Sequence, residues 1–213
     1  MNSENPIISD EEKDILQEIM NIAFGTAAAD LAELINIFVV LSVPKIILLQ
    51  AVDLPDYLRT EVGSYENISI IEQNFWGEFQ GSAFLVFQSG AGKELITLLG
   101  SGMDEPFESE SIEILEKETL IEVGNILIGA CVGKVAELLR DVVTYSPPRI
   151  IIENHPNDAI PENLLQPSST AIVLKTVFCF KERNVNGFLF LVTSQESILW
   201  LRKALGEFME QYE

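Results

Sequence analysis

Histidine occurs once in this chain, at His155, and cysteine twice, at Cys131 and Cys179. That is too little to build a disulfide framework or a Cys/His metal site. Cys131 stands in an apolar helical stretch and reads as a small core residue rather than as half of a Cys–His pair, and Asn154 to Asp158, around the histidine, reads as a turn. Basic residues are scarce too: 13 Lys and Arg face 33 Asp and Glu, a net charge of −20. A surface so acidic argues against nucleic acid and anionic membrane as partners, because a phosphate backbone needs a concentrated basic patch. Apolar runs such as Ile37 to Leu41 and Ile46 to Leu49 are broken by Ser42 and Pro44 and are too short to span a bilayer, which predicts no membrane insertion. Near the start, Glu4, Asp10, Glu11 and Glu12 stand where a signal peptide needs positive charge and an apolar segment. A phosphate loop is lacking as well: Gly90-Ala91-Gly92-Lys93 misses both the leading glycine spacing and the Ser or Thr after Lys93, and reads as a strand-to-helix turn. These absences leave a cytoplasmic protein whose 213 residues, 47% of them hydrophobic, can bury a substantial core.

What the chain does have is one pattern twice. Asp14, Glu18, Asn21 and Pro44 return as Glu118, Glu122, Asn125 and Pro148, and each of the four steps is 104 positions. At about 100° per residue, Asp14, Glu18, Asn21 and Gly25 fall within roughly 60° of one another on a helix, as do Glu118, Glu122, Asn125 and Gly129. Ile15, Ile19, Ile22, Ala23 and Thr26 are expected on the opposite, core-facing side of the first helix, with Leu16 and Met20 at its edge. Around the second stripe lie Leu115, Ile126, Leu127 and Ala130.

A polar stripe on an amphipathic helix is ordinarily its wet side. Solvation, however, needs only polarity, whereas here Glu, Asn and Gly are kept in both copies while neighbouring positions change, Gln17 against Ile121 and Asp30 against Lys134. Asn has low helix propensity because its amide competes for backbone hydrogen bonds, and a helical Gly costs about 1 kcal/mol relative to Ala. A helix that accepts both penalties one turn apart, twice over, marks a surface that something approaches closely.

With these intervals the acidic, Glu, Asn, Pro signature resembles that of the CheC/CheX/FliY family of phosphatases, which act on the phosphorylated response regulator CheY. The match covers Asp14 to Ile47 and Glu118 to Ile151, and two copies in a chain of this length are most similar to the CheC-type members. The resemblance implies that Asn21 and Asn125 each enter the receiver's phosphorylation site and hold a water in line with phosphorus. It implies that Glu18 and Glu122 pair with a lysine of the receiver, and that Asp14, Gly25, Glu118 and Gly129 complete the two partner-binding faces. Family members carry Asp or Ser at the first position, so Asp14 matches and Glu118 is one methylene longer. No cofactor of the chain's own is implied, since the receiver is expected to bring its own Mg²⁺. A CheD-type deamidase is a second expected partner, and an adaptor with little or no turnover is the alternative function.

The remainder of each half repeats more loosely. Ile68 to Phe79 with Gly81 to Phe87, and Ala171 to Phe180 with Gly187 to Val192, read as β-hairpins. A short helix is expected after each, capped by Gly100 and Gly206. Ser9 with Glu12 forms a capping box, and Pro44 and Pro148 introduce extended apolar segments. The predicted fold is α+β: an internally duplicated single domain with repeats at about 9–103 and 104–213, pseudo-two-fold, its strands in one shared antiparallel sheet and its two long signature helices exposed on one side.

Overall fold

Ser9 and Glu12 satisfy each other's backbone at the start of the first long helix, α1 (Asp10–Ile35). The Glu12 amide donates to Ser9 Oγ at 3.1 Å and the Ser9 amide to Glu12 Oε2 at 2.7 Å, the reciprocal box expected from the sequence. Burial alone would push the Glu12 carboxyl up. The Ser9 amide and the Arg202 guanidinium, which donates to Oε1 at 2.8 Å, outweigh that and hold it below its ordinary value. The structure, a computed structural model, describes residues 8–35, 38–63, 68–98, 109–153, 170–181, 185–193 and 195–209.

After α1 come β1 (Val39–Leu41), β2 (Lys45–Gln50), a 3₁₀ turn at Ala51–Asp53, α2 (Leu54–Val62), β3 (Ile68–Trp76), β4 (Gly81–Gln88) and α3 (Ala91–Leu98). The second long helix, α4 (Ser109–Leu138), leads to β5 (Thr144–Tyr145), β6 (Arg149–Glu153), β7 (Thr170–Phe180), β8 (Val185–Thr193) and α5 (Gln195–Met209). The strands form one eight-stranded antiparallel sheet in the order β1-β7-β8-β4-β3-β5, with β2 also on β7 and β6 also on β3. Both predicted hairpins form, and Pro44 and Pro148 immediately precede β2 and β6. Each half lends its short strands to the other half's hairpin: β2 pairs with β7, placing Lys45 opposite Lys175, and β6 pairs with β3, placing Arg149 opposite Glu72.

The central strands are buried on both faces, which is why they read as nearly unbroken apolar runs. Leu85 and Phe87 of β4 and Leu189 and Leu191 of β8 join α1, α3, α4 and α5 in the main core; Phe84, Val86, Phe190 and Val192 point the other way, against Leu54, Leu58 and Val62 of α2. Helix α4 lies in the main core with α1. Unlike the short apolar runs read from the sequence, its segment Ile112–Leu138 is long and apolar enough to cross a bilayer by length and composition, and 56% of its most apolar 18 residues are buried inside the protein.

Two expectations need correction. The core stripe of α1 is Leu16, Ile19, Met20, Ala23, Phe24, Ala27 and Leu31, whereas Ile22 is 43% exposed and Thr26 faces solvent, its hydroxyl donating to the Ile22 carbonyl at 2.9 Å. The large side chains at 16, 20 and 24 set the packing side, so it is rotated from the one read from the isoleucines. Gly206 does not cap a helix: α5 runs through it to Met209. Gly100 and His155 lie outside the described residues. Helix α2 was not anticipated, although Pro55 in its first turn after Asp53 is an ordinary helix-start signal.

Candidate functional site

Because the apolar stripe of α1 is fixed against the sheet and α4, its other side is fixed outward. Asp14, Glu18, Asn21 and Gly25 are all exposed, one turn after another along that side. On α4, Glu118, Glu122 and Asn125 are exposed and Gly129 is half-buried. The two helices pack on each other in the main core. Asp30 and Lys134, which are 104 positions apart, meet across them: Lys134 Nζ lies 3.1 Å from Asp30 Oδ2 and 3.0 Å from Glu137 Oε2. Glu137 and Asp30 together raise the Lys134 ammonium above its ordinary value.

The glycines of the stripes have no packing reason inside the fold. A Cβ added at Gly25 or at Gly129 meets nothing within 4 Å, and neither residue has a positive φ. Gly124 differs, since its Cβ would fall 2.8 Å from two Ile71 side-chain carbons, so there the close seating of α4 on β3 requires glycine. Gly25→Ala and Gly129→Ala should therefore each stabilise the isolated protein by about 0.5–1 kcal/mol, a rise of roughly 1–4 °C in the melting midpoint. If the stripe is a docking face, the same variants weaken partner binding; a gain in stability with unchanged binding would remove the glycines from the site.

The two carboxamides differ in their surroundings. Gln73 of β3 is 2% exposed, and its Nε2 donates to Asn125 Oδ1 at 2.8 Å and to the Ser146 carbonyl at 2.9 Å. Sequence reasoning missed this residue. The one signal available was the polar run Glu72-Gln73-Asn74 inside an otherwise apolar strand. Among the described residues no side chain hydrogen-bonds the Asn21 carboxamide. Further along α4, the Tyr145 hydroxyl donates to the Gly129 carbonyl at 3.4 Å, and burial pushes the Tyr145 phenol up to about 12. Cys131 is fully buried in the core as expected, and burial raises its thiol far above the ordinary range. Gly90, with φ +84°, turns β4 into α3 as its sequence implied.

A site of this kind offers two outward amides, each able to donate and accept hydrogen bonds, and a carboxylate one turn before each. The arrangement can orient a water or bind a cation of another molecule.

Residues 11–48 match the CheC-like family. Over 204 residues the chain is 26% identical to the CheY-P phosphatase CheC of Bacillus subtilis, spanning 93% of this chain and 96% of that protein. It is 25% identical over 160 residues to the flagellar motor switch phosphatase FliY of the same organism, spanning 73% of this chain and 40% of that longer protein. In fold it is similar to the crystal structure of Thermotoga maritima FliY, with a TM-score of 0.70 at 19% identity over 94% of this chain and 98% of the other. Fold likeness alone assigns no chemistry, since one architecture serves many activities. The similarity to CheC extends over nearly the whole length, well beyond the two helices that first carried the resemblance, and the chain is similar to members of the CheC/CheX/FliY family.

Proposed function

We propose that the protein is a phosphatase acting on the aspartyl phosphate of a CheY-type response regulator in chemotaxis signalling, with one site at Glu18 and Asn21 and a second at Glu122 and Asn125. The observation that carries this reading is the pair of exposed carboxamides, each one helical turn after an exposed carboxylate, on two helices packed against each other in one core. The name of the relative CheC, a CheY-P phosphatase, supplies the substrate class, and both relatives are named phosphatases.

The receiver brings the acyl phosphate, a Mg²⁺ ion and a lysine, and the carboxamide of Asn21 or Asn125 adds what is missing, a fixed partner for the attacking water. Water oxygen bonds to phosphorus, the bond from phosphorus to the aspartyl oxygen breaks, and the carboxylate leaves while the water's proton passes to phosphate or solvent. Glu18 and Glu122 dock the receiver's lysine in a contact that loses water on binding, so charge holds the register while the amide acts on the phosphoryl group. Asp14 and Glu118 solvate and position the two faces, and Gly25 and Gly129 let the partner's backbone come close. The two faces belong to two repeats related by a pseudo-two-fold axis. Supporting this, Ser42 and Ser146, 104 positions apart, accept from the amides of Val177 and Asn74 at 2.9 and 3.0 Å and donate their own amides to the carbonyls of the same two residues at 2.8 and 2.9 Å.

A catalytic amount of the protein should speed phosphate release from a phosphorylated CheY-type receiver, and EDTA should stop it by stripping the receiver's metal. A receiver panel that shows binding without faster release would replace the phosphatase by an adaptor, for which a CheD-type deamidase is the first partner to test. Stoichiometric Mg²⁺ on the protein alone would contradict the division of labour.

A further inference from the structure

Resting on the phosphatase reading, we infer that Gln73 is a positioning residue that sets the Asn125 carboxamide for reaction, and that the site on α1 works without such a support. Both hydrogens of Gln73 Nε2 are committed, one to Asn125 Oδ1 at 2.8 Å and one to the Ser146 carbonyl at 2.9 Å. That pairing fixes which way both amides face, because turning either one over would set oxygen against oxygen or N–H against N–H. Asn125 is left with its NH₂ group and one Oδ1 lone pair for the partner and the water.

The contact is built at a cost to the fold. Gln73 Oε1 is buried and is the single buried side-chain nitrogen or oxygen among the described residues without a hydrogen-bond partner. A threonine could serve the Ser146 carbonyl as Thr176 serves that of Ser42 without leaving such an orphaned acceptor, so the bond to Asn125 is what glutamine adds here. Gly124 brings the backbone of α4 against Ile71 of β3, next to Asn125 and on the same strand face as Gln73, and so brings the two amides within reach. The place equivalent to Gly124 in α1 is filled by the buried Met20, 104 positions earlier. The strand registers put Thr176 at the place of Gln73, since Lys175 lies opposite Lys45 where Glu72 lies opposite Arg149. Thr176 is too short to span to the helix, and its hydroxyl donates instead to the Ser42 carbonyl at 2.6 Å.

The test isolates each site by disabling the other. In an Asn21→Ala background, where only Asn125 turns over receiver, Gln73→Met should lower kcat about tenfold or more and change KM less than about twofold, as loss of orientation without loss of docking requires. Gln73→Glu, which keeps the size but cannot donate, should lose as much. In an Asn125→Ala background the Gln73→Met effect should disappear, a non-additivity that general destabilisation would not produce. Loss of kcat in both backgrounds, or in neither, overturns the inference. A second measurement needs neither turnover nor a folded variant. Side-chain ¹⁵N relaxation of the intact protein should show the Asn125 NH₂ group markedly more ordered than that of Asn21, and equal disorder would refute the support. Should the intact protein hydrolyse no receiver, the phosphatase reading falls while the relaxation result still decides the role of Gln73.

Discussion

Replacing Asn21 and Asn125 together by Ala should lower kcat for receiver dephosphorylation by about 100-fold or more, the scale seen when one preorganised transition-state contact is removed. Either single variant should keep measurable turnover through the remaining site. Both residues are exposed and outside the packed stripes of their helices, and Ala has the higher helix propensity, but Asn125→Ala also takes an acceptor from the buried Gln73 amide, a cost of about 1–3 kcal/mol, so the melting midpoint of the double variant is measured beside its activity. The measurement is the rate of acyl-phosphate loss at saturating receiver, with binding followed separately. Because the carboxamide acts on the water more than on the bound ground state, affinity should change little. Full activity in the double variant would remove both residues from the reaction.

Charge reversal should separate docking from chemistry. Glu18→Lys combined with Glu122→Lys should raise KM by about 30-fold or more while kcat at saturation falls far less, since a contact desolvated in the complex is worth roughly 2 kcal/mol or more when one partner is lost, and reversal adds repulsion. Titrating phosphorylated receiver to saturation reads both numbers at once. A fall in kcat with KM unchanged would move the carboxylates from docking into the chemical step. The two variant sets therefore predict opposite patterns on faces that share the same helices.

Much of this arrangement could be read from the chain because it is local. A helical stripe is decided by residues three and four apart, so the outward set Asp14, Glu18, Asn21 and Gly25 and the Ser9–Glu12 box follow from spacing. Hairpins pair neighbours in sequence, and β3–β4 and β7–β8 form where the apolar runs and the turns between them put them. What escaped depends on contacts between distant residues. The pairing of β2 with β7 and of β6 with β3 joins opposite halves, and no periodicity within one half encodes its partner. The rotation of α1 that leaves Ile22 exposed is set by the neighbours that Met20 and Phe24 find, and the isoleucine spacing alone pointed elsewhere. Gln73 reaches Asn125 across 52 positions, a contact that exists because Gly124 lets α4 settle on β3. The supporting layer differs between the two sites, while Glu, Asn and Gly of the two signatures match and the first acidic position changes from Asp14 to Glu118.

Whether Asn21 and Asn125 reach into another molecule's acyl-phosphate pocket can be seen by following their side-chain amide resonances while a CheY-type receiver, loaded with Mg²⁺ and beryllofluoride in place of the phosphoryl group, is titrated in. Both NH₂ signals should shift strongly and saturate together with those of the Glu18 and Glu122 helical turns. Binding that leaves the two amides unmoved, with perturbations gathered instead on α2 or α5, would contradict the proposal.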